Sequence, residues 1–141
     1  MIVDANILLY AADESSDFHG PAKGWLEDAL NGPARVGLPW PTLTAFLRIS
    51  THPRAARNPL TAREAWDFIT DWLDAGPAWI PQPGPWHAEV LRRLTVDGSL
   101  HGNLVSDAHL AALALEHGVG VCSADSDFAR FAGLDWVNPL R

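Results

Sequence analysis

Cysteine is almost missing. Among 141 residues only Cys122 is present, which excludes an internal disulfide framework and a cysteine-rich zinc site and leaves a lone thiol expected to be buried in a strand. No apolar run approaches the roughly 20 residues a membrane-crossing helix needs, and no positively charged leader precedes a long apolar stretch. A cytoplasmic protein with no membrane partner is therefore expected. Hairpin signals, internal repeats and low-complexity tracts are absent as well. Acid is missing from one long interval: between Asp28 and Glu64 the chain has no carboxylate but carries Arg35, Arg48, Arg54, Arg57 and Arg63. That basic zone is embedded in a chain of net charge −7, a balance that argues against a surface coating nucleic acid indiscriminately.

What is there suits one globular domain spanning 1–141, since 48% of the residues are hydrophobic and can fill a real core. Seven tryptophans are many for this length. Most are expected in the core, with some left for a partner surface.

The order of elements reads as strand, two helices, strand, two helices, strand, two helices, strand, helix, strand. Residues 1–3 form a short buried strand, and Ala5 to Ala12 a short helix. Asp17 to Leu30 reads as a helix capped by Ser16 or Asp17, with Ala22, Trp25, Leu26 and Ala29 as its apolar stripe. Arg35 to Leu38 is a second strand, cut short by Pro39, and Pro41 suits the first turn of a helix through Ser50. Thr61 and Glu64 fit a capping box opening a helix whose apolar face is Ala65, Trp66, Ile69 and Leu73. A strand at Trp79 and Ile80, a helix from Pro85 to Thr95, and a helix around Asp107 closed by Gly118 follow. Val119 to Cys122 and Leu134 to Val137 complete the strands. Alternation of this kind predicts an α/β fold: a mainly parallel central sheet covered by helices on both faces.

In such sheets functional groups gather beyond the carboxyl ends of the strands, near the switch in strand order. Asp4 follows the first strand, Asp125 and Asp127 follow the fourth, and Asp107 lies early in the helix leading into it. Singly, these acids read as a helix cap, a first-turn residue and turn formers. Together, they would form a site of several like charges, costing roughly 4 kcal/mol per pair at 4 Å and an effective dielectric of about 20, unless a cation sits among them. A carboxylate-rich site without histidine or thiol ligands suits magnesium or manganese, and such ions make phosphodiester hydrolysis the natural chemistry, through a water of lowered pKa.

These stretches resemble a known family. Ile2-Val-Asp-Ala-Asn6, Phe46-Leu-Arg-Ile-Ser-Thr-His-Pro53, Leu104-Val-Ser-Asp-Ala-His-Leu110 and Ser123-Ala-Asp-Ser-Asp-Phe128 resemble, in order, the PIN-domain ribonucleases, and most closely the VapC-type toxins of toxin-antitoxin pairs. The resemblance implies a three-layer PIN-like sandwich and a magnesium- or manganese-dependent endoribonuclease acting on structured RNA such as transfer or ribosomal RNA. It also implies a cognate VapB-like antitoxin and a homodimer. By matching position, Asp4, Asp107 and Asp125 are expected to be catalytic and to hold metal, with Asp127 as a further ligand and Asn6 and Ser123 supporting them through hydrogen bonds. One position departs from the family: an acid often stands three residues before the arginine of the third helix, where this chain has Ala45. Thr42 or Thr44 is expected to hold a water there. Ala45 also motivates the alternative of a catalytically impaired module that binds RNA or protein. A haloacid-dehalogenase-like phosphatase would need an aspartate where Asn6 stands.

Arg48, Arg54 and Arg57 are candidates for RNA phosphate contacts, with Arg48 alternatively pairing with a pocket acid. His101, His109 and His117 are expected on the helix surface or behind the acids rather than as general bases. Trp66, Ile69 and Leu73 are expected to pack in the core, with a partner helix or second copy as the alternative.

Overall fold

A computed structural model describes residues 1–141. Five two-residue strands, β1 (Ile2–Val3), β2 (Val36–Gly37), β3 (Ala78–Trp79), β4 (Val121–Cys122) and β5 (Trp136–Val137), alternate with six helices. The helices are α1 (Ala5–Ala12), α2 (His19–Leu30), α3 (Trp40–Ser50), α4 (Ala62–Asp74), α5 (His87–Asp97) and α6 (Asn103–His117), and a 3-10 turn spans Ser126–Arg130. The strands form one sheet in the order β3-β2-β1-β4-β5, and every pairing is parallel. The expected order of elements and the sheet type are both met.

The strand order determines where a site can form. From β1 the chain winds outward through β2 to β3, then returns so that β4 lies on the other side of β1. The winding therefore reverses between β1 and β4, which leaves a crevice beyond their carboxyl ends. Asp4 leaves β1 into that crevice, and Ser123 to Asp127 leave β4 into it.

Each strand is too short to show alternation by itself, yet its two residues face opposite ways. Val3 and Cys122 join a core of 14 buried residues that includes Ile7, Leu26, Leu43, Phe46, Ile69 and Trp72. Ile2 and Val121 join a second core of nine, with Ala111, Leu113 and Phe128. One core lies beneath α1 to α4 and the other beneath α6, so the molecule has three layers. The thiol of Cys122, buried as expected, has its pKa pushed up to about 12 by that burial. Gly37 is required where β1, β2 and β3 meet, because a Cβ there would stand 2.9 Å from Ile2 Cγ1 and 3.0 Å from the Trp79 ring.

Local signals held in several places. Thr61 and Glu64 form the full capping box of α4, and Gly118 closes α6 in the left-handed conformation at φ 65°. Others were displaced by tertiary packing. Helix α2 begins only at His19 with no side-chain cap, because the Ser16 hydroxyl instead accepts from Phe18 N in the preceding turn. On α4 the buried face is Ala65, Ile69 and Trp72, while Trp66 is 44% exposed. Trp72 was drawn inward by the ring of Phe46, 4.9 Å away and edge-on, an arrangement favourable for aromatic quadrupoles. Of the seven tryptophans only Trp72 is buried, and Trp40, Trp66 and Trp86 are exposed. The expectation that most would be core is thereby corrected. No helix is long and apolar enough to cross a membrane.

Candidate metal centre

At the sheet crevice the side chains build outward from Ser123. Its hydroxyl is fully buried and donates to Asp4 Oδ2 at 2.7 Å. It accepts from Asn6 Nδ2 at 3.1 Å and from Asp125 N at 3.0 Å. One donor and two acceptor positions are thereby filled, which is the whole capacity of a hydroxyl. Asn6 closes the ring, donating to Asp4 Oδ2 and accepting from Ala124 N. The β1 and β4 ends are thus fixed to each other by Asn6 and Ser123, the two supporting residues expected from sequence. Trp136, which the sequence reading left unassigned, secures the same junction by donating from Nε1 to Ser123 O at 3.0 Å. Its signal was only its place on the last strand.

Asp4 also caps α1 by accepting from Ala5 N at 2.8 Å, while its Oδ2 takes the bonds from Ser123 and Asn6. Burial raises its pKa above the ordinary carboxylate value, against the opposing hydrogen bonds from Ser123 and Ala5, and the charge of Asp125 adds to the rise. Asp107, Asp125 and Asp127 stand nearer to solvent, and each offers a carboxylate oxygen within 4.8 Å of the other two. Asp4 is not one of that convergent set; it borders the same crevice from behind, within charge-charge reach of Asp107 and Asp125. Burial first, then the charges of Asp125, Asp4 and Asp127, push the pKa of Asp107 up to about 6, with Arg130 pulling the other way. Arg130 pairs with Asp127 at 3.4 Å and is the cation the sequence reading missed. The three-residue spacing from Asp127, one turn of helix, was its available signal.

This donor set fits a hard divalent ion. Three carboxylate oxygens within 4.8 Å of one another are the hard, all-oxygen donors that magnesium or manganese takes, with water completing the shell. One half-exposed arginine stands against these acids, and the charges of Asp125, Asp4 and Asp127 add to the rise that burial causes in the Asp107 pKa. No histidine or thiol converges on these acids.

A cleft of about 590 Å³ opens beside them, lined by Asp4, Thr42, Thr44, Ala45, Arg48 and Asp107 among others. Asp4 and Asp107, far apart in the chain, therefore border one space. Thr42 donates to Val3 O at 2.8 Å and Thr44 to Trp40 O at 2.8 Å. Each thus keeps only acceptor capacity toward the cleft, where a water could donate to it. Ala45 lines the same cleft, and its methyl supplies no ligand there.

The arginine candidates separate. Arg48 lines the acid cleft and forms none of the molecule's ion pairs, which removes its alternative role as partner of a pocket acid. Arg57 lines a different cleft with Asp13, Ser50 and Tyr10. Arg54 lies in the exposed loop between α3 and α4, where its backbone N donates to His52 Nδ1.

The histidines lie elsewhere. His117 Nε2 meets Gln82 O at 2.9 Å, and His101 is exposed. His87 Nδ1 lies 2.7 Å from Glu116 Oε2 and its Nε2 lies 3.1 Å from His109 Nδ1. This chain of three polar groups, joining α5 to α6, was not foreseen, since His87 and Glu116 are 29 residues apart and share no motif.

The comparisons with known proteins agree with this geometry. Residues 1–134 match the PIN domain family. Ribonuclease VapC37 of Mycobacterium tuberculosis is 45% identical over 138 residues, covering 98% of this chain and 96% of that protein. Ribonuclease VapC33 of the same species is 37% identical over 141 residues, covering 100% and 99%. Among solved structures, VapBC2 of Rickettsia felis bound to a promoter DNA fragment superposes with a TM-score of 0.66 at 16% identity, over 97% of this chain and 96% of the other. A toxin-antitoxin complex of Klebsiella pneumoniae gives 0.63 at 20% identity, over 98% and 96%. At those identities the structural likeness speaks for the fold. Matched along nearly its whole length by the family and by relatives bearing the VapC name, the chain belongs to the PIN domain family, among its VapC ribonucleases.

Proposed function

We propose that this protein is the toxin of a type II VapBC-like pair, a magnesium- or manganese-dependent endoribonuclease that cleaves structured RNA, such as transfer or ribosomal RNA, in the cytoplasm. Residues 1–141 act as one PIN-like domain, restrained by a VapB-like antitoxin and paired as a homodimer. The observation that carries this reading is the convergence of Asp107, Asp125 and Asp127 within 4.8 Å in front of the half-buried Asp4, at the point where strand order reverses.

Asp107, Asp125 and Asp127 would hold the ion, with Asp4 beside it on the sheet side and Asn6 and Ser123 keeping Asp4 oriented. When bound there, a divalent ion would supply charge neutralisation for the phosphoryl oxygens and a water of lowered pKa. Arg48 reaches the same cleft from α3 and supplies a planar guanidinium for the RNA phosphate. Arg54 and Arg57 add attraction farther out along the basic region. For the homodimer, Trp66 is the one residue of the proposed contact that the fold leaves exposed, since Ile69 is fully buried.

Purified protein should cleave RNA with manganese, stop on addition of EDTA, and lose cleavage in Asp107→Asn. Binding of RNA without cleavage at any divalent ion concentration would instead support the impaired module that Ala45 suggests.

A further inference from the structure

Helix α3 presents one solvent-facing stripe that leads out of the acid cleft. Trp40, Thr44 and Arg48 follow each other at four-residue spacing and so share a side of the helix. Thr44 and Arg48 line the cleft. Trp40 stands one turn beyond them, tied to Thr44 by the hydrogen bond from Thr44 Oγ1 to its carbonyl, and is 42% exposed.

The indole of Trp40 has no partner of its own kind. Trp72 packs edge-on against Phe46, and Trp79 lies between the Arg35 guanidinium at 4.2 Å and the His117 ring at 5.2 Å. Trp136 spends its N–H on Ser123. Trp40 enters none of the ring pairs or cation contacts of the molecule. It also opens a helix in the middle of the acid-free interval from Asp28 to Glu64, where no carboxylate of the local sequence repels a polyanion. At 1.5 Å rise per residue, Trp40 to Thr44 is about 6 Å along the helix and Trp40 to Arg48 about 12 Å.

We infer that Trp40 is a nucleobase subsite: the exposed indole stacks an unpaired base of the RNA next to the phosphate held at the acid cleft, while Arg48 engages the backbone on the cleft side. This inference rests on the nuclease reading above and adds a requirement to it. The substrate must offer a base free of its helix, because only an unstacked base has a face to give. Stacking is tolerant of base identity, so Trp40 selects single-stranded conformation rather than sequence, and the four bases should be accepted with similar affinity at that position.

The test crosses a protein change with a substrate change. Parent, Trp40→Phe and Trp40→Ala are compared on short single-stranded oligoribonucleotides in which each nucleotide in turn is made abasic. Cleavage is followed with manganese, and binding is followed by fluorescence anisotropy with calcium. Trp40→Ala should raise KM about tenfold with kcat nearly unchanged, and Trp40→Phe should restore most of the loss. One abasic position should weaken the parent by a similar factor and leave Trp40→Ala indifferent. If every abasic substitution costs parent and Trp40→Ala equally, the subsite is overturned while the nuclease reading stands. If no RNA is cut but anisotropy keeps the coupling between Trp40 and one base, the subsite stands and the nuclease reading fails. If Trp40→Ala leaves RNA binding intact and instead changes the oligomeric state on size exclusion, the indole serves a protein contact and the inference is overturned.

Discussion

The crevice between β1 and β4 and the seam between α5 and α6 each hold a group of ionisable side chains, arranged to opposite effect. At the seam, Glu116 faces His87, and His87 faces His109, with side-chain exposures of 12% for His87 and 6% for Glu116. Donors meet acceptors, apart from Glu116 Oε1, which is buried without a partner, and burial lowers the pKa of His109 so that it favours the neutral form. In the crevice, acid faces acid, and one arginine offsets them in part. The lesson is that a cluster in which donors mostly meet acceptors holds helices together, whereas one in which acid faces acid is shaped for something that arrives from outside. Position alone would not have told them apart, since both involve α6.

The comparison can be broken most sharply at the crevice. Asp107→Asn or Asp125→Asn should reduce cleavage by about 1,000-fold, the scale of several kcal/mol of lost charge stabilisation. In ion-free buffer at pH 8, Asp107→Asn should also raise the melting temperature by about 3 °C, because it removes repulsion. Magnesium should then raise the parent's melting temperature more than the variant's. A variant less stable than the parent without ions would count against the unbalanced-charge account.

At the seam the signs reverse. His87→Ala strands the buried Glu116 carboxylate and should cost about 3 kcal/mol in urea unfolding, while the folded protein keeps its kcat. Loss of cleavage without loss of stability would move this cluster into the active machinery.

Acidity sharpens the contrast further. Asp107 must be ionised to hold the ion and its pKa is about 6, so cleavage should rise about tenfold per pH unit below that value and level off above it. Because protons and ions compete for the same oxygens, more magnesium should shift the midpoint to lower pH. The stability of the ion-free chain has the opposite slope. Asp107 carries a folded pKa above its unfolded value of 3.8, so the native state holds the extra proton and stability falls as pH rises from about 4 to about 6.

The smallest effect concerns the basic region. Neutralising Arg54 and Arg57 together should flatten the salt dependence of RNA binding by about 1.4 in the log-log slope if each contacts one phosphate of a single strand. Arg48→Gln should affect kcat/KM more than either, since of these three arginines only Arg48 lines the cleft with Asp4 and Asp107.

Much of this was legible in the sequence because it is written in short-range patterns. Apolar pairs ending in Asp4 and in Ser123-x-Asp125 announce strands that stop at carboxylates, and parallel topology then brings those ends together. The Thr61 and Glu64 box and Gly118 are likewise local chemistry. What was not legible depends on how helices rotate against each other. Trp66 and Trp72 are both plausible core residues of α4 until Phe46 is in place to choose between them. His87 and Glu116 acquire meaning only when α5 settles on α6. The split of the acids into a convergent three and a recessed Asp4 required the depth of the crevice, which no spacing encodes.

Because β1 pairs with β4 and the Ser123 hydroxyl reaches Asp4 across 119 positions of the chain, the crevice is a long-range feature of the sheet. It should therefore open with the global fold rather than by local fraying, so amide exchange at Asp4 and Asp125 should follow overall unfolding.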